Sequence, residues 1–212
     1  MKDNKKKVDP RILRTRSLLR NAMIDLIPEK GFDEITVQDI TDRATLNRAT
    51  FYLHFHDKHE LLMDTFETLF NEVTPQPLDI SQVSPAYAQL MLEKVFEHIS
   101  RYADFYCRLL GKDGDSLFIA RVREYVHQVV MNWFQFLQPE ESRMMVSMDV
   151  VTNFLGSAYM GVILWWLEHD MPHSPEYMAG QLLQMTVNGV PHLLGLGEDK
   201  VFESMLKNLS SD

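Results

Sequence analysis

The chain has 212 residues, of which 45% are hydrophobic and 24% charged, with 9 Gly and 9 Pro, a globular balance that excludes collagen-like, low-complexity and largely disordered chains. That length allows one large domain or a small one fused to a larger. The net charge of −9 is unevenly placed: residues 1–60 hold 12 basic and 10 acidic side chains, residues 61–212 hold 9 and 20, and residues 1–20 alone hold 8 and 2, so an anionic partner belongs at the basic end.

Ile12, Leu19, Ala22, Met23, Leu26 and Ile27 recur at helical spacing and predict a first helix, with Arg11, Arg14, Arg16 and Arg20 on its other surface. Pro28 removes a donor near its end and Gly31 supplies the stop. Thr36 to Asp39 forms a capping box with Asp in the Glu position, opening a short helix that turns Val37, Ile40 and Ala44 inward and ends near Thr45. Asn47 caps a helix over 48–55, and Asp57 caps another running from Lys58 towards Val73. The Pro- and Ser-bearing stretch from Thr74 to Pro85 is the strongest break in the chain. Beyond it, helical patterns cover about 85–102, 104–111, 115–137, 140–169 and 175–194, with no strand-like alternation. The expected fold is all-α.

Two short helices joined by a tight turn behind a basic first helix make a helix-turn-helix arrangement, whose second helix fits the major groove. Arg48 is the natural base reader, because its planar fork can take guanine O6 and N7 together. Asn47, Ala49 and Thr50 are small enough to allow close approach, and Thr36, Tyr52, His54 and Lys58 suit phosphate contacts. Val37 and Gln38 complete the expected DNA-facing set.

The runs Ile35–Ala44, Asn47–Phe55 and Asp57–Leu62, with Thr-Phe-Tyr-Leu-His-Phe at 50–55 and Lys58 beyond, resemble the DNA-binding domain of TetR-type transcriptional regulators. The resemblance covers about residues 10–65; the remainder is similar only in its succession of helices. It implies a helix-turn-helix domain over 1–56 and a helical ligand-binding and dimerisation domain over 57–212, linked by the helix at 57–73. It also implies a homodimer on palindromic double-stranded DNA, most simply a repressor released by a small molecule. Thr45 stands where many members have Gly in the turn, and Leu53 where a polar or basic residue is common, which removes one possible DNA contact.

The aromatic and Met-rich bundle offers Tyr102, Phe105, Tyr106, Met131, Phe134, Phe154 and Trp165 as an expected pocket lining for an apolar or aromatic effector. Trp165 and Trp166 are adjacent and point about 100° apart on a helix, so they cannot both serve one site. Phe154, Ala158, Gly161 and Trp165, with Leu182, Met185, Thr186 and Gly189, form the expected dimer surface. Phe51 and Phe55 read as core, and Cys107 as an inert thiol. His54, His56 and His59 lack the i, i+4 zinc spacing, so no metal or other cofactor is expected. Carboxylates such as Glu93, Glu97 and Asp149 have no nucleophile beside them, and an enzyme is not expected. The alternative to a small effector is a protein partner docked on the bundle. Met1 to Lys7 carries charge without an apolar core, and the longest apolar run, Phe154–Leu167, has 14 residues against about 20 for a membrane span. A cytoplasmic protein that makes no membrane contact is expected.

Overall fold

The computed structural model describes residues 9–73, 85–112, 114–136 and 144–193. Their regular elements are helices: α1 (Pro10–Lys30), α2 (Val37–Arg43), α3 (Arg48–Tyr52), α4 (Lys58–Asn71), α5 (Pro85–Arg101), α6 (Ala103–Leu110), α7 (Ser116–Phe136), α8 (Met148–Glu168) and α9 (Pro175–Leu193). They fall into two compact units, Met1–Glu72 and Val73–Asp212. The division lies at the edge of the Pro- and Ser-bearing break, not at 56/57. The reason is packing: α4 lies against α1 and buries Leu61, Leu62, Phe66, Leu69 and Phe70, which makes it part of the first unit instead of a link.

In the first unit the local chemistry decides where each helix starts and stops. The Asp9 carboxylate accepts the Arg11 N–H at 2.8 Å and opens α1. Leu19, Ala22, Met23, Leu26 and Ile27 are buried, whereas Ile12 remains exposed. Pro28 sits in the last turn, and Gly31, at φ 78°, donates its N–H to the Ile27 carbonyl at 2.9 Å. A side chain would be strained at that φ, so glycine makes the stop. α3 is shorter than the expected 48–55: after Tyr52, the N–H groups of His54 and Phe55 both return to the Phe51 carbonyl, at 2.9 and 3.0 Å. Phe51 and Phe55 are buried, as expected, and hold this turn from below.

In the second unit α5 runs against α9 and α7 against α8. Trp166 is fully buried, edge-on to Phe96 at 5.1 Å between ring centroids, and its Nε1–H donates to the His173 carbonyl at 2.9 Å. Gly156 is buried where α7 passes closely: a Cβ there would stand 3.7 Å from the His127 Cα. The helix expected from 140 begins instead at Met148, while 140–143 lie outside the described residues. Met144, Val146 and Met148 pack on a cluster of Val130, Val151 and Leu155. Ser147, extended at φ −64° and ψ 147°, stands before the first turn, and the Val150 and Val151 N–H groups return to its carbonyl at 3.1 and 3.2 Å.

By length and composition α8 could cross a membrane, with a mean hydropathy of 1.5 in its most apolar window, although its uninterrupted apolar run is short. Its inner face (Val151, Thr152, Leu155, Gly156, Trp166 and Leu167) is buried in the bundle. The outer face carries Val150, Phe154 and Trp165 at 58%, 68% and 42% exposure.

Candidate nucleic-acid interface

Two N-caps build the site. Thr36 accepts the Asp39 N–H at 3.1 Å, while the Asp39 carboxylate accepts from the Thr36 N–H at 2.9 Å and hydroxyl at 2.6 Å. The Lys30 ammonium also bonds Asp39, and together with the Thr36 donors it holds that carboxyl far below the usual carboxylate range. Asn47 repeats the device at α3: its Oδ1 accepts from the Thr50 N–H at 2.7 Å and from the Thr50 hydroxyl at 3.0 Å. The turn between α2 and α3 is closed by the Leu46 N–H on the Thr41 carbonyl at 2.9 Å, with Thr45 at φ 56°. A β-branched residue thus occupies the left-handed position that Gly fills in many members of the family the sequence resembles.

Most of the expected DNA-facing residues are exposed on this unit. Thr36, Gln38, Asn47, Arg48, Ala49 and Tyr52 are exposed, and Val37, Thr50 and His54 are half-buried. Arg48 and Tyr52 are one helical turn apart, with Nη2 3.4 Å from the tyrosine oxygen. Arg48 donates to that oxygen, and both side chains stand exposed on α3. Leu53 continues the helical turn beyond Tyr52 and is 81% exposed.

Lys58 is the exception. Its ammonium donates to the carbonyls of Phe32, Asp33 and Ile35 at 2.9, 2.9 and 3.0 Å and sits 4.6 Å above the Phe32 ring. An ammonium has three protons, and all three are committed, so the expected phosphate role is replaced by a tie from α4 to the α1–α2 loop. A second tie has no counterpart among the sequence expectations. Asp64 on α4 takes Arg16 on one oxygen and Arg20 on the other, the latter at 2.9 Å, and Arg16 also lies 4.7 Å over the Phe55 ring. Charge spacing gives no signal for a contact across 44 residues. Of the histidine trio, His59 is engaged edge-on with Phe32 at 4.9 Å and His56 is exposed.

The residues of the expected pocket set differ in burial. Phe105 and Tyr106 are buried, with Phe105 edge-on to Phe118, and the Tyr106 hydroxyl is 3.0 Å from His98 Nε2. Tyr102 and Met131 are half-buried, and the Phe134 side chain lies outside the described residues. Phe154 and Trp165 are corrected: they point to solvent, because inward packing at Val151, Leu155 and Trp166 turns them to the opposite face of α8. That face is where the expected dimer residues Ala158, half-buried, and Gly161, exposed, also lie. On α9, Met185 is exposed and Thr186 bonds the Tyr159 hydroxyl at 2.6 Å, while Gly189 is placed by its backbone alone. Leu182 is corrected as well, being buried within its own chain at 2% exposure. Cys107 is half-buried, and burial, reinforced by nearby carboxylates, pushes its thiol pKa up.

A short capped helix over a phenylalanine core, with arginine and tyrosine turned outward and a second short helix before it, defines a helix-turn-helix DNA-binding unit. Residues 19–64 match the family described as bacterial regulatory proteins, tetR family, and residues 87–188 match a transcriptional regulator C-terminal region. The chain belongs to the TetR family of DNA-binding transcriptional regulators. It is 24% identical over 189 residues to the HTH-type transcriptional regulator YxbF of Bacillus subtilis, covering 86% of this chain and 47% of that protein. It is 29% identical over 96 residues to IcaR of Staphylococcus epidermidis, a negative transcriptional regulator of a biofilm operon, covering 43% of this chain and 51% of that one. The chain therefore spans about half the length of these relatives. The crystal structure of a TetR regulator from Streptococcus agalactiae superposes with a TM-score of 0.62 at 28% identity, covering 82% of this chain and 94% of the other.

Proposed function

We propose that this protein is a cytoplasmic repressor that binds a palindromic operator as a homodimer and leaves it when an apolar or aromatic small molecule occupies the C-terminal unit. The observation that carries this reading is the exposed face of α3, where Arg48 and Tyr52 are exposed over buried Phe51 and Phe55. Arg48 reads a guanine in each half-site, and the polar residues around it set register on the backbone. IcaR, a negative regulator, supports the repressor sense. The protein acts by binding and not by catalysis.

Two copies are required because a palindrome presents the same half-site twice, about 34–36 Å apart. The outer face of α8, with Val150, Phe154, Gly161 and Trp165, is the surface a second copy covers. The effector works by population shift: it binds better to a conformation whose two DNA-binding units cannot engage successive grooves together. A coupling of about 1–3 kcal/mol weakens operator binding about 5- to 150-fold, enough to switch a promoter.

Selection of bound duplexes from random DNA at two salt concentrations tests the reading. Enrichment of a palindrome with half-sites about one helical turn apart is the expected result. Binding that is only salt-sensitive and sequence-independent, or no binding, overturns it.

A further inference from the structure

Leu53 is the most exposed large hydrophobic residue among those described, at 81%, and it stands on the tip of the recognition helix. Its backbone is still helical, at φ −72° and ψ −18°, with its N–H bonded to the Ala49 carbonyl. Residues 49 and 53 therefore share one face, directly beside the face of Arg48 and Tyr52, while Phe51 points into the core. The result is a narrow apolar stripe, a methyl group followed by an isobutyl group, flanking a guanidinium.

The sugar–phosphate backbone gives a leucine at this position no polar contact. The base edges of the major groove offer one apolar group, the C5-methyl of thymine, and apolar side chains on recognition helices are what meets it. We infer that Leu53 is a specificity residue that packs on the C5-methyl group of a thymine in each half-site, with Ala49 alongside and the guanine read by Arg48 close by. The inference rests on the DNA-binding reading above and names part of the sequence it selects. A leucine in place of a polar side chain thus gives up one polar contact for recognition of one base.

The experiment uses the full-length protein and the duplex enriched from random sequence. Each thymine is replaced in turn by uracil, which removes only the C5-methyl. One thymine per half-site is expected to be sensitive: its replacement weakens binding about fourfold, and replacement in both half-sites about fifteenfold, the factor expected from burying one methyl-sized group at each. Leu53→Ala binds the thymine duplex more weakly by a similar factor and shows no uracil sensitivity at that position, so the two changes are not additive. Since the side chain is exposed, this variant keeps its fold, which circular dichroism checks. Uracil sensitivity that persists unchanged in Leu53→Ala, an enriched half-site without thymine, or a duplex indifferent to every uracil overturns the inference while leaving the DNA-binding reading intact. Failure to enrich any duplex overturns both.

Discussion

Arg48 and Lys58 are both cations on the DNA-binding unit, yet their surroundings assign them opposite work. Arg48 is exposed on α3, so Arg48→Ala should cost about 1–3 kcal/mol of operator affinity and relax preference at one base pair per half-site, read by repeating the selection with the variant. Lys58 instead satisfies three carbonyls in the α1–α2 loop. Lys58→Met should lower the urea midpoint of the unit by about 2 kcal/mol equivalent, because those carbonyls lose their donor. The plot of log affinity against log salt should keep its slope; a slope reduced by about one would return Lys58 to the phosphate backbone. Thr45 carries a different cost. At φ 56° a side chain costs about 1–2 kcal/mol, and Gly recovers that less about 0.5–1 kcal/mol of unfolded-chain entropy. Thr45→Gly should therefore raise stability by about 0.5–1 kcal/mol without changing the dependence on denaturant, and a lower midpoint would refute the strain argument.

The helix boundaries near Thr36, Asn47, Asp57 and Gly31 were legible because each is set by a side chain or φ within three or four residues of the bond it makes. What escaped the sequence is long-range. The Asp64 clamp on Arg16 and Arg20 and the Lys58 tie depend on packing between segments far apart in the chain. Periodicity also left the role of α8 divided, assigning Phe154 and Trp165 to both a pocket and a surface. The structure separates the faces: Trp166 goes in and Trp165 goes out. Gly161 is exposed on the outer face, and an added Cβ would meet nothing within 4 Å, so a side chain can leave the backbone there without a clash. Gly161→Arg should leave helicity unchanged while its charge weakens self-association at least about tenfold in sedimentation, as expected for an unpaired charge in an apolar contact. A variant that still sediments as a dimer at the same concentration would move the dimer contact off this face.

Across the whole molecule the two units differ in charge and in how they should meet acid. The basic side chains gather in the DNA-binding unit, and the acidic excess of residues 61–212 disfavours non-specific contact with DNA. The second unit also holds His98, buried beside Tyr106, whose pKa is lowered to about 4 by burial, with Arg101 adding to the effect. An unfolded histidine titrates near 6.5, so between about pH 6.5 and 4 the unfolded chain holds a proton that the folded chain does not. Stability from this group is fully present above that window and falls with pH by up to about 1.4 kcal/mol per unit, about 3 kcal/mol in all, levelling once the folded histidine itself protonates. Carboxylates such as Asp39 and Glu29, whose pKa values are lowered in the fold, add their own loss at lower pH. That loss is common to the protein and to His98→Gln, so it cancels in their difference. The 3 tryptophans, Trp133, Trp165 and Trp166, all lie in the second unit, and their fluorescence follows its unfolding separately from the first. Urea midpoints at pH 7.5, 6 and 5 should converge between His98→Gln and the unaltered protein as pH falls, the unaltered protein losing more. Parallel curves would mean that His98 binds its proton alike in the folded and unfolded chain.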